Sequence, residues 1–161
     1  MKRKNWSLAA YLVFSAVLLL VDIFSKRWAQ RVLAPAGSMP LIEGLIALRY
    51  AENTGAAFSA FSGATAILSV FSLAVCIAVL VYMIRHPELN GLTKCSLSMV
   101  LAGGVGNLID RMMRGYVVDF FEFLFVEFAI FNVADICITV GAALLFIALL
   151  RGGDTNARME D

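Results

Sequence analysis

Charge and histidine are scarce in this 161-residue sequence. Charged residues make up 16% of it, against about 25% in a soluble domain. Its 13 Lys and Arg offset 12 Asp and Glu, for a net charge of +1. A nucleic-acid binder needs a basic face, and a disordered regulator needs high charge with low hydrophobicity, so both classes are excluded. The single histidine, His86, precedes a proline in a polar segment, which leaves a His triad or a multi-His metal site poorly supplied. Cys76, Cys95 and Cys137 are an odd set, each in or beside an apolar run and without short metal-type spacing. They read as small buried hydrophobes, which excludes a secreted disulfide scaffold and a zinc site. Repeats, low-complexity segments and long linkers are also missing.

Apolar residues are what the chain has instead. Hydrophobic content is 61% and mean hydropathy is +0.85. One membrane span takes about 20 apolar residues, so four spans use about half the chain and leave no room for a separate soluble domain. The expected fold is an α-helical integral membrane protein forming one domain over residues 1–161. Its four transmembrane helices are expected near residues 7–26, 64–84, 94–113 and 132–150. The start, Met1-Lys2-Arg3-Lys4-Asn5 before an apolar run, resembles a signal peptide. No small-residue cleavage pattern immediately follows that run, so it is read as a retained first span. Residues 86–94, with Pro87 and Asn90-Gly91, form a short polar connection of tight-hairpin type.

Four spans put both termini on one side. The 13 basic residues divide almost evenly between the two sides, but Lys2, Arg3 and Lys4 directly precede the first span and place the termini in the cytoplasm. The uncharged runs at residues 95–109 and 136–150 are 15 residues each. Each covers about 22 Å of a hydrocarbon layer of about 30 Å. To cross, they must draw in Asp110 and Arg111 at one end and Asp135 and Asn132 at the other, as the first span draws in Asp22. Alternating direction brings these groups to one depth near the outer face, where ionisable side chains turn toward the bundle interior. Two segments between spans do not look helical, residues 37–62 and 115–131. Within them residues 45–52 read as a strand, and residues 116–131 as strand or re-entrant backbone. Backbone of that kind survives at membrane depth only if covered or lining a cavity, so both segments are expected to form a small β-cradle on the outer face.

Four constellations carry chemistry. Gly103, Asn107 and Arg111 share one helix face at i, i+4 and i+8. Helix packing explains the glycines but accounts less well for an amide and a guanidinium on that stripe, which suit a cavity that holds a peptide backbone. Asp22 and Lys26 are a favourable i, i+4 ion pair, structural or functional. Asn132 and Asp135 read as a helix N-cap, although a cap alone does not need both. Asp119 stands among Val117, Val118, Phe120 and Phe121. It either projects into water from an alternating strand or meets Asp135 in a partly dry site where one of two carboxylates keeps a proton. Such a pair can activate water with one member and protonate a departing nitrogen with the other.

Five stretches resemble, in the same order, motifs of the lipoprotein signal peptidase (signal peptidase II) family. They are Asp22-Ile23-Phe24-Ser25-Lys26, Asn53-Thr54-Gly55-Ala56-Ala57-Phe58, the run from Gly103 to Arg111, Val117-Val118-Asp119-Phe120 and Phe131-Asn132-Val133-Ala134-Asp135. The resemblance runs from about Asp22 to Gly141, and Ser25 stands where the family often has threonine. It implies a bacterial inner-membrane aspartic endopeptidase that cuts the signal peptide from prolipoproteins just before a diacylglyceryl-modified cysteine. It further implies a catalytic dyad of Asp119 and Asp135, and substrate-site positions at Asp22, Asn53, Gly103, Asn107, Arg111 and Asn132. Lys26, Gly55, Gly106 and Asp110 belong to the same motifs as supporting residues. No metal or organic cofactor and no nucleic acid is implied. The expected partners are the lipid bilayer and the lipid-modified signal peptide, the chain acting as a monomer, with sensitivity to globomycin, a cyclic peptide that blocks the family.

Three other readings compete on the residues themselves. A small proton-coupled transporter also buries acids in the membrane, but more often near the midplane and with repeats. A Ser–Lys peptidase would use Ser25 or another serine with Lys26, and for Ser25 the geometry is poor, because neighbours on a helix diverge. A pure scaffold leaves the polar stripe unexplained.

Overall fold

The computed structural model describes residues 7–55 and 65–157, with side-chain surroundings through Arg151. Helix α1, Leu8–Trp28, continues without a break through a π-helical turn, Ala29–Leu33, into a last turn, α2, Ala34–Ala36. The three pieces form one rod of 29 residues, longer than the sequence suggests. Helix α3 is Thr65–Arg85, α4 is Gly91–Arg114 and α5 is Val133–Ala157. Among the described residues, four helices are long and apolar enough to cross a membrane, the fourth by its Val133–Arg151 portion.

The bundle is apolar outside and polar inside. Val13, Val17 and Phe24 of α1, Ile67 and Val70 of α3, and Phe146 and Leu149 of α5 are exposed, whereas Ser15, Asp22, Lys26, Ser96, Ser98, Asn107 and Asp110 are buried. Lipid gives apolar side chains no reason to leave it, so helix contacts rely on small residues and hydrogen bonds. Ser15 Oγ donates to the Ser98 carbonyl at 2.8 Å across α1 and α4. Helix α4 is the central one, packed against α1, α3 and α5. Its start corrects the expected Asn90-Gly91 turn. Asn90 caps the helix, its Oδ1 accepting from the Thr93 amide at 2.9 Å, and Gly91 is already helical. The left-handed Gly115 (φ 82°) ends it, returning its N–H to the Arg111 carbonyl.

Where α1 and α4 end and α5 begins, a three-stranded antiparallel sheet closes the bundle in the order β1-β2-β3. Its strands are β1 Ser38–Ile42, β2 Ile46–Asn53 and β3 Val117–Phe123. Gly44, at φ 72°, makes the β1–β2 turn, with the Leu45 amide donating to Ile42. The register pairs Ala51 with Asp119 and Asn53 with Val117, so the end of β2 lies beside the start of β3. The far edge of β3 is also covered, because Phe131 pairs with Phe121 as the chain returns to α5. Hence the strand reading of residues 116–131 holds for Val117–Phe123 only. Ala29 and Leu33 of the π turn pack with Val118 and Phe120, seating the sheet on the end of α1.

Candidate active site

Helix α5 starts with a reciprocal cap. Asn132 Oδ1 accepts from the Asp135 amide at 2.9 Å, and Asp135 Oδ2 accepts from the Asn132 amide at 3.1 Å. This is a capping box with Asn132 at the N-cap and Asp135 at the third helical position. It leaves Asp135 Oδ1 free to accept from Asn107 Nδ2 of α4 at 2.8 Å. Asp119, from the buried half of β3, accepts from Asn132 Nδ2 at 2.6 Å and from Asn53 Nδ2 at 3.0 Å. Asn132 therefore touches both carboxylates, and its Nδ2 also reaches Asn107 Oδ1 at 3.2 Å.

Asp119 and Asp135 line one cleft of about 570 Å³. Its walls are Leu68, Phe71 and Ser72 of α3 and Ile136, Thr139 and Val140 of α5, with Gly104, Asn107 and Arg111 of α4 behind. Burial pushes the Asp119 carboxyl up to about 7, and the neighbouring charge of Asp135 adds to the rise. The amides of Asn53 and Asn132 and the charge of Lys26 hold it back. Two carboxylates so placed, with the proton held longer on Asp119, can divide the roles of base and acid.

A signal peptidase (SPase) II family model matches residues 14–151. The chain belongs to the signal peptidase II family. It is 41% identical to a lipoprotein signal peptidase of Clostridium acetobutylicum over 142 residues, which is 86% of this chain and 92% of that one. It is 43% identical to one of Caldanaerobacter subterraneus subsp. tengcongensis, over 88% of this chain and 97% of the other. Two solved bacterial membrane enzymes, determined by the in meso method at 2.3 and 1.9 Å, share the fold with TM-scores of 0.85 and 0.82 at 27% identity. The first match covers 91% of both chains, the second 93% of this chain and 98% of the other. The protein is thus a membrane-embedded peptidase, with the four-helix and small-sheet architecture expected from its sequence.

Within this signal peptidase II fold the expected site residues separate into two layers. Asn53, Asn107, Arg111, Asp119 and Asp135 line the cleft. Asp22, Gly103 and Asn132, expected as substrate contacts, do not: each lies beneath the cleft wall. Asp22 and Asn132 are almost fully buried. Gly103 sits where α4 crosses α5, and a Cβ there would overlap the Ala134 carbonyl oxygen. At Gly103 the α4–α5 packing leaves no room for a side chain. Gly106 likewise faces the Asp22 carboxylate. Gly55 anchors the Asn53 segment, its N–H donating to Asn53 Oδ1 at 2.9 Å and its carbonyl accepting from Arg111 Nη2 at 3.0 Å. Ala56, Ala57 and Phe58 of that motif lie outside the described residues.

The Asp22–Lys26 pair forms at 2.9 Å, but buried, with Asp110 as a second carboxylate at 3.3 Å. Ser25 Oγ donates to the Asp22 carbonyl. Lys26 Nζ is engaged elsewhere and is no base for Ser25, so a Ser25–Lys26 pair lacks its geometry. Sequence reasoning missed Arg114, which donates to Asp110 at 3.0 Å and to Gln30, although the Asp110–Arg114 spacing of i, i+4 was available. It also missed the α3 wall, whose contributing residues carry no charge and give no such signal.

Proposed function

We propose that this peptidase removes the signal peptide from bacterial prolipoproteins, cutting just before the diacylglyceryl-modified cysteine. A water between Asp119 and Asp135 attacks the scissile carbonyl. The carboxylate takes a proton from the water while the protonated partner gives its proton to the carbonyl oxygen, which forms a tetrahedral diol. The first then passes its proton to the departing nitrogen as the C–N bond breaks, and the second recovers a proton from the diol as the new carboxyl forms. The observation that carries the reading is the pair of carboxylates facing one cleft, bridged by Asn132 and walled on two sides by apolar helices. The gap between α3 and α5 admits a signal-peptide helix from the bilayer, while lipid chains on the cysteine stay in the hydrocarbon. Arg111 supplies a donor to a substrate carbonyl, and Asn107 orients the dyad. The termini lie in the cytoplasm and the sheet on the outer face of the cytoplasmic membrane, and one chain suffices.

The test is cleavage of a diacylglyceryl-modified prolipoprotein by purified protein in detergent, with Asp119→Asn and Asp135→Asn compared against wild type. Each variant should keep its circular dichroism spectrum and lose at least about 10²-fold in rate, the usual scale of acid–base catalysis. Globomycin should block the wild-type reaction. Normal cutting by both variants overturns the dyad, and a wild type that never cuts this substrate overturns the substrate class.

A further inference from the structure

Lys26 lies two hydrogen bonds from the reacting groups, and its side chain is only 2% exposed. Nothing in the proposed reaction uses it directly. Its Nζ reaches Asp22 Oδ2 at 2.9 Å, Asn107 Oδ1 at 2.9 Å and Asp110 Oδ2 at 3.3 Å. We propose that Lys26 is the positioning residue of the carboxylate pair, holding Asp119 and Asp135 in register through Asp110, Asp22 and Asn107. The inference rests on the dyad reading above.

Each partner of Lys26 leads to a member of the pair. Asp22 Oδ1 accepts from the Ala134 amide at 2.9 Å, the residue directly before Asp135. Asp110 Oδ2 accepts from the Val118 amide at 3.2 Å, the residue directly before Asp119. One ammonium thus braces the backbone beside both carboxylates. The third partner sets polarity. An ammonium only donates, so the Asn107 atom facing it must be the oxygen. That leaves Asn107 Nδ2 for Asp135 Oδ1, and it lets Asn107 Oδ1 accept from Asn132 Nδ2, which also donates to Asp119. With the amide reversed, an NH2 would face an ammonium and a carbonyl would face a carboxylate. Lys26 therefore selects the one amide orientation in which both carboxylates receive N–H donors. Its charge also favours the ionised form of Asp119.

Lys26 does not line the cleft, so its loss should act on kcat rather than KM. In Lys26→Met, kcat should fall by about 10²-fold, the cost of about 1 Å of misplacement, while KM stays near wild type. The alkaline limb of kcat/KM should move to higher pH, because Asp119 loses a nearby positive charge. Lys26→Arg keeps the charge and the donors, so it should recover most of the rate and the wild-type limb. The charge-neutral pair Asp22→Asn with Lys26→Met guards against simple unfolding from a stranded carboxylate, and it should show the same kcat loss, a smaller limb shift because a negative charge goes with the positive one, and a retained melting transition. Unchanged kcat in either folded Lys26→Met protein overturns the proposal. So does a loss shared by kcat and KM with the pH limb unmoved, the pattern of a purely structural lysine. If Asp119→Asn stays active, the dyad reading fails; if it is inactive while Lys26→Met cuts normally, only the positioning role fails.

Discussion

Gly103→Ala probes the contact that holds the two halves of the site together. A Cβ on Gly103 would overlap the Ala134 carbonyl oxygen and stand 2.8 Å from Ile138 Cγ1. The obstacle is backbone in the first turn of α5, so no side-chain rotation relieves it and the helices must part. Overpacking of this kind costs about 1–3 kcal/mol. The steric case here belongs at the upper end, about 3 kcal/mol, and replacing a mid-helix glycine by alanine returns about 1 kcal/mol of helix propensity. A net loss of about 2 kcal/mol should lower Tm by about 4–8 °C in a chain of this size. The same separation stretches the Asn107–Asp135 bond of 2.8 Å, which crosses this contact, and the movement of α5 also strains the Ala134–Asp22 bond of 2.9 Å to α1. About 1 Å of displacement there should cost about 10²-fold in rate.

Gly141→Ala supplies the control. Its Cβ would stand 2.8 Å from the Ser96 carbonyl oxygen and 3.0 Å from Met99 Cβ, in the same helix crossing but about 9 Å along α5 from Asp135. Thermal unfolding in detergent and initial cleavage rates at saturating substrate read the two effects apart. Both variants should lose Tm similarly, and only Gly103→Ala should lose the rate. Wild-type Tm and rate in Gly103→Ala would refute the reasoning, as would an equal rate loss in Gly141→Ala.

The Asp119 carboxyl near 7 predicts an alkaline limb in kcat/KM from about pH 7 upward, falling about tenfold per pH unit, because the shared proton is then lost. Unfolded aspartate titrates near 4, so between about pH 4 and pH 7 the folded state holds the extra proton and stability declines, then flattens above 7; Asp119→Asn should remove that slope in melting curves. Asp135→Glu keeps a side chain suited to a capping box but moves the carboxylate out by about 1.5 Å, so Tm should hold while the cleavage rate drops by about 10²-fold or more. Ser72→Phe narrows the cleft from the α3 wall, at a cost of about 1–3 kcal/mol in binding, and titration of substrate should show KM raised by about 5- to 150-fold with kcat retained.

What the sequence discloses depends on how local the physics is. The spans were legible because lipid demands about 20 apolar residues in a row. The two short runs even located the polar end of the bundle, where Asp22, Asp110 and Asp135 do converge. The continuation of α1 to Ala36 was not legible, since Arg27, Arg31 and Pro35 read as a helix ending. Strand β1 was hidden for a similar reason: Met39-Pro40-Leu41 is short and contains proline, which suits only an edge strand, and β1 is one. Asn90-Gly91 fits a turn and a cap equally well by composition. In the site, the i, i+4 spacing disclosed the Asp22–Lys26 pair, but Asp110 and Asn107 reach Lys26 from another helix, which no local spacing encodes.

Asn132 and Asp135 show why two readings of one motif need not compete. As a cap, the pair satisfies amides at the start of α5 that lipid or a dry sheet could not. As part of the site, the same reciprocal bonds fix the Asp135 side chain before any substrate arrives, with one oxygen spent on the cap and the other turned to Asn107 and the cleft. A carboxylate held this way loses little freedom on reaching the reacting geometry, and that freedom is a large part of what positioned catalysis removes from the barrier. Asp119 reaches equal fixity by another route, through a strand covered on both edges and two amide donors. The folding devices of a helix end and a sheet therefore meet at one point, where the bundle is most polar and the cleft is deepest in side-chain charge.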